Sequence, residues 1–147
     1  MNRATPQLRS IARRLLDAEI HNPVEAGSTA AFPAADKLRP HLAALMGSGG
    51  VGALFGRSLA LARAELPWLE AATVNQAGRF EGLDALAAER PPHEYREGMT
   101  VLLAQTLGLL VAFIGPSLTS RLVGEVWPQI PFAERDFGKE DDREKAR

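Results

Sequence analysis

The chain contains no cysteine. That one absence excludes disulfides, thiolate zinc sites, iron–sulfur clusters and cysteine nucleophiles. An excess of one charge sign is missing too. Lys and Arg number 17 against 18 Asp and Glu, a formal net charge of −1. Nothing global therefore points to nucleic acid or to an acidic membrane surface. Lysine is confined to Lys37, Lys139 and Lys145, with arginine supplying the other side-chain cations. Together with abundant alanine, this reads as the composition of a GC-rich bacterial genome. Residues 1–10 hold no apolar signal core, so the expected location is the cytoplasm.

What is present belongs to an ordinary globular domain. A 147-residue chain that is 46% apolar and 24% charged can bury a sizeable core without metals or disulfides. The core is expected around residues 99–114, a run without charge in which only Thr100, Gln105 and Thr106 are strongly polar, with Gly108 among the rest. As a helix it would measure about 24 Å, short of the ~30 Å hydrocarbon layer of a bilayer. A short helix that is apolar nearly all round is the central helix of a bundle. Gln105 inside it then needs a hydrogen-bond partner.

Helical periodicity accounts for most of the remainder. Thr5-Pro6 opens a helix, and Leu8, Ile11, Ala12, Leu15, Ala18 and Ile20 lie near one face. Residues 24–33 read as a loop. A short helix is expected over 36–46, with Pro40 in its first turn or kinking it. Glycines at 47–50 then break the chain. Val51, Leu54, Phe55, Leu59, Ala62 and Leu66 mark another helix, closed by Pro67. Residues 83–88 make a turn or two of helix. A long one starts near His93, is ended or kinked at Gly115-Pro116, and resumes over 117–127. Segment 73–81 is a minor β-hairpin turning at Ala77-Gly78, or an extended loop. The fold class is all-α: a single-domain bundle of five or six helices around a central helix at about 93–114. The domain spans 1–132, followed by a charged, disordered tail at 133–147.

No constellation with a defined chemistry stands out. Gly47-Ser48-Gly49-Gly50-Val51-Gly52 spells G-x-G-x-x-G, but that fingerprint requires a preceding strand, and 38–46 is helical in pattern. His93 and Glu97 stand one helical turn apart, a spacing for two metal ligands, without a matching third or fourth. The basic face of the first helix (Arg3, Arg9, Arg13, Arg14) is diluted by Asp17 and Glu19 and lacks interleaved aromatics.

Two stripes of small residues recur every four positions: Gly52, Gly56, Ala60 and Ala64 on one helix, and Ala104, Gly108 and Ala112 on the central one. Such stripes let helices approach closely. They are expected to face each other, or one of them its own copy in a homodimer. A pocket lined by Phe55, Leu102, Leu109 and Phe113 is the alternative use of the apolar surface. The expected function is a non-catalytic helical interaction or regulatory module that self-associates or binds another protein. Binding of an apolar ligand or lipid comes second, with a membrane-active variant disfavoured by Arg121 and Glu125. A small enzyme comes third. No cofactor and no nucleic-acid partner are expected.

Overall fold

The computed structural model describes residues 5–21, 32–131 and 137. Four α-helices are present: α1 (Pro6–His21), α2 (Pro33–Glu65), α3 (Leu83–Glu89) and α4 (Pro92–Val126). A 3₁₀ turn (Pro67–Ala71) follows α2. The strands β1 (Thr73–Val74) and β2 (Phe80–Glu81) pair antiparallel, Thr73 opposite Glu81 and Val74 opposite Phe80. The protein is thus mostly helical, with one small two-stranded sheet. The loop expected at 24–33 lies outside the described residues except for Phe32 and Pro33. So does the tail at 133–147 except for Phe137, which is buried.

Proline sets the helix starts. Pro6, Pro33 and Pro92 open α1, α2 and α4, and Pro67 opens the 3₁₀ turn. The first turn lacks a use for the missing N–H, and the ring fixes φ at a helical value. Thr5 adds a cap, its Oγ1 accepting the Leu8 N–H at 3.2 Å.

Two of the four helices carry an internal break, α2 between the segments expected at 36–46 and 51–66 and α4 at Gly115. In each case a single glycine breaks the helix: Gly47 at φ 76°, ψ 163° and Gly115 at φ 88°, ψ 162°. That backbone region is closed to residues with a Cβ, so these glycines bend the path while hydrogen bonding resumes beyond them. Pro40 differs from expectation. It sits beyond the first turn of α2, with helical backbone around it, and the break comes at Gly47 instead.

The hairpin turn follows from two residues. Asn75 Oδ1 accepts the N–H groups of Ala77 (2.9 Å) and Arg79 (3.1 Å), and the Asn75 carbonyl accepts the Gly78 N–H at 3.0 Å. Gly78 takes the left-handed position (φ 80°) that a three-residue hairpin loop needs. The turn docks on α2 from both sides of the Gly47 break. Arg39 Nε donates to the Gly78 carbonyl at 3.1 Å, and a Cβ on Gly52 would sit 3.6 Å from the Gln76 carbonyl. Phe80 packs edge-on against Phe32 and tilted against Phe55, with ring centroids 5.5 and 5.1 Å away.

Both α1 and α2 pack on α4. Every residue from Gly98 to Leu107 is buried, so this part of α4 is covered on all sides. Its polar groups are satisfied. Thr100 and Thr106 hydroxyls donate to the carbonyls of Arg96 and Leu102, both at 2.9 Å, and Gln105 Nε2 donates to Glu65 Oε2 at 2.6 Å. Glu65 also pairs with Arg9 of α1, tying three helices through one carboxylate. Beyond the break in α4, Trp127 is fully buried and its Nε1–H donates to Glu19 Oε2 at 2.7 Å; Lys37 Nζ reaches the same oxygen at 2.8 Å. By length and composition, α4 is the one described helix long and apolar enough to cross a membrane.

Candidate functional site

The two glycine breaks border one feature. Leu45 and Met46 immediately precede Gly47, and Phe113 and Ile114 immediately precede Gly115; all four line an open apolar groove of about 710 Å³ between α2 and α4. Its α2 wall continues through Gly50, Ala53, Leu54 and Arg57, and its α4 wall through Leu109 and Ala112. The positions 50, 53, 54 and 57, all beyond the Gly47 break, form one helical face, as do 109, 112 and 113. Three of these positions are small: Ala53 and Ala112 carry only a methyl group, and at Gly50 a Cβ would lie 2.9 Å from that of Met46 on the same wall.

The rim is unusually apolar for a surface. Phe113 is 73% exposed, Leu45 52%, and Leu118, just past the break in α4, 39%. These are the exposed large hydrophobic residues of the described chain, and they gather around the two breaks. Arg57 is the one charged residue in the lining, and it makes no hydrogen bond or ion pair with another described residue. No lining residue carries a hydroxyl, imidazole or carboxylate. The groove can hold a molecule but offers no side chain for proton transfer or nucleophilic attack.

The structure divides the residues singled out in the sequence. Leu109 and Phe113 do line the groove, whereas Phe55 and Leu102 are buried in the core. Of the stripes, Gly52 lies under the hairpin turn. Gly56 has nothing within 4 Å of where its Cβ would be, and Ala60 and Ala64 are exposed. Ala104 is buried, Gly108 faces Leu8 of α1 (3.1 Å from a built Cβ to Cδ1), and Ala112 is exposed in the groove. Gly52 and Gly108 thus meet different neighbours, the hairpin turn and α1, and Gly56 faces open space among the described residues.

His93 is exposed in the first turn of α4, while Glu97 is engaged by Arg9 (3.5 Å) and Arg13 (3.6 Å). Among the described residues no three His, Cys, Asp or Glu side chains gather as a metal site. Leu45, Met46, Gly50, Ala53, Leu54 and Arg57 were not singled out from the sequence as site residues. For Leu45 and Met46 a signal was present, since like Phe113-Ile114 they form an apolar pair directly before a glycine.

A second cluster lies at the other end of α4. Trp68 stands against Gly98, where a Cβ would come within 2.5 Å of its Cη2. The Trp68 ring centroid lies 6.5 Å from that of Tyr95 and 4.7 Å from the Arg90 guanidinium. Burial, and then the negative charge of Asp84, push the Tyr95 phenol well above its ordinary value of 10.0. This is a packed aromatic layer without an opening onto the groove, since none of its residues lines it. Compared with known protein families, curated proteins and solved structures, the chain matches none of them.

Proposed function

We propose that this protein is a non-catalytic binding module, a single-domain helical bundle whose groove between α2 and α4 takes up an apolar ligand. One observation carries the reading: an apolar groove of about 710 Å³, within the size range of small-molecule sites, lined by a single charged residue. In this reading the module works in the cytoplasm of a bacterium, needs no cofactor, and regulates or reports by what it holds. The test uses the neutral, environment-sensitive dye Nile red. Dye fluorescence should rise with one equivalent of protein and fall again with Ala53→Trp, whose new ring fills the groove from an exposed position. No dye binding by the folded wild-type protein rejects the reading.

Self-association through the same end is a second reading, favoured by the exposure of Phe113 and Leu45 on the rim. Paired two-fold, each rim would cover the other's groove. Light scattering across a concentration series is the measurement, and a monomer at all concentrations ends this reading.

A further inference from the structure

The geometry points to a long-chain carboxylate, a fatty-acid-type single-chain amphiphile, as the ligand of the groove, its head group held by Arg57. This rests on the apolar-ligand reading above and adds the head-group chemistry to it.

The argument starts from the distribution of polarity. Nine of the ten lining residues are apolar or glycine, which suits a hydrocarbon chain and leaves no partner for internal polar groups of a ligand. A ligand with polar groups along its length would lose hydrogen bonds to water and regain none. The tenth residue is a cation. Arg57 projects from α2 one turn beyond Ala53 and Leu54, it is exposed, and no described carboxylate pairs with it. Other arginines make long-range ion pairs, Arg9 with Glu65 and Glu97 and, at the surface, Arg96 with Asp17. A guanidinium with no partner among the described residues, beside an apolar trough, presents planar donors to a carboxylate while its stem adds to the apolar wall.

The chain's own tail is a poor occupant. Residues 138–147 contain no large apolar side chain and are dense in charge of both signs. A second protein copy would have to bring a carboxylate on an apolar rim, and the copy's own rim of Leu45, Phe113 and Leu118 carries none. A free amphiphile satisfies both halves of the site at once.

Calorimetric titration below micelle concentrations tests this with dodecanoate, dodecanol and dodecyltrimethylammonium on the full chain at low ionic strength. Dodecanoate should bind one to one and about three- to fivefold tighter than dodecanol, the size of an exposed ion pair. That preference should shrink as salt shortens the Debye length from roughly 30 Å at 0.01 M to 8 Å at 0.15 M. Lengthening the chain by one methylene should tighten binding about two- to fourfold while the groove still has room. Arg57→Gln should abolish the preference for the carboxylate and leave dodecanol binding intact. Arg57→Glu should turn the preference toward the ammonium head. Both substitutions are at an exposed position, and unchanged circular dichroism confirms the fold.

Equal affinity for dodecanoate and dodecanol in the wild-type protein overturns the head-group inference and leaves the apolar-ligand reading standing. Binding of none of the three amphiphiles overturns both. Binding that survives Ala53→Trp places the ligand elsewhere and overturns the inference. So does association with phosphatidylglycerol vesicles in the absence of any binding to the free acid, because the occupant is then a membrane surface.

Discussion

The two ends of the apolar run in α4 are chemically alike and structurally opposite. From Gly98 to Leu107 every residue is buried, against α1 and α2 and under Trp68. From Leu109 to Leu118 the run is as apolar, yet Ala112, Phe113 and Leu118 are exposed. The difference is made by the neighbours, not by the helix. Near Gly98 a tryptophan reaches in to close the gap, whereas the α2 wall of the groove that Phe113 lines includes Gly50 and Ala53, which are too small to close it. Hydrophobicity measures what a segment would gain from cover; it does not say whether cover is supplied.

Substitutions at the two ends should separate stability from binding. The largest effect is expected from Leu107→Ala in the covered half. The side chain is fully buried, and its loss should cost about 2–5 kcal/mol, read as a shift in the midpoint of urea unfolding. A cost below about 1 kcal/mol would mean that the covered half is looser than the contacts imply.

Gly98→Ala comes next. The added methyl must displace the Trp68 ring, and overpacking of this kind costs about 1–3 kcal/mol. The companion Trp68→Leu should relieve part of that loss, since the double mutant removes the atom that clashes. Additive losses would dissociate Trp68 from the effect.

A smaller effect is confined to alkaline pH. Tyr95 is the sole tyrosine, so an ultraviolet titration reports its phenol alone. Burial and Asp84 hold the folded-state value above the ordinary one near 10.0. Its contribution to stability is therefore complete below pH 10 and is lost as pH rises from there toward the folded-state value. A phenol that titrates at its ordinary value in the folded protein would contradict the packing of Tyr95 beside Trp68.

The smallest effect on stability is expected at the open end. Phe113→Ser removes a mostly exposed ring and should change stability by less than about 0.5 kcal/mol. It should still weaken Nile red binding, because the ring forms a groove wall. A large loss of stability here would erase the contrast between the two ends.

Much of the local structure was legible from residue order. Ile11, Ala12, Leu15 and Ala18, spaced for one helical face, are the buried face of α1. Val51, Leu54, Phe55, Leu59 and Ala62 are likewise buried in α2. At 73–81 the sequence left a hairpin turning at Ala77-Gly78 and an extended loop both open, and the pairing of Val74 with Phe80 decides for the hairpin. Gln105 required a partner, and Glu65 supplies it. The groove was only half legible. Leu109 and Phe113 were readable as apolar surface in want of contact, but Phe55 and Leu102 look the same in sequence and lie in the core. Arg57 carried no local signal, since a lone arginine on a helix is ordinary until its surroundings are known.

The sequence by itself determined most of the helical segments, the Pro6 start, the glycine breaks and the excess of apolar surface, while the starts at Pro33 and Pro92 emerged only in the structure. These depend on backbone sterics and on periodicity within a few residues. Which apolar surface stays open was decided by the tertiary structure. It depends on which side chains from α1, α2 and the 3₁₀ turn come to stand opposite each turn of α4. Such pairings between residues distant in sequence leave no periodic trace in a single chain.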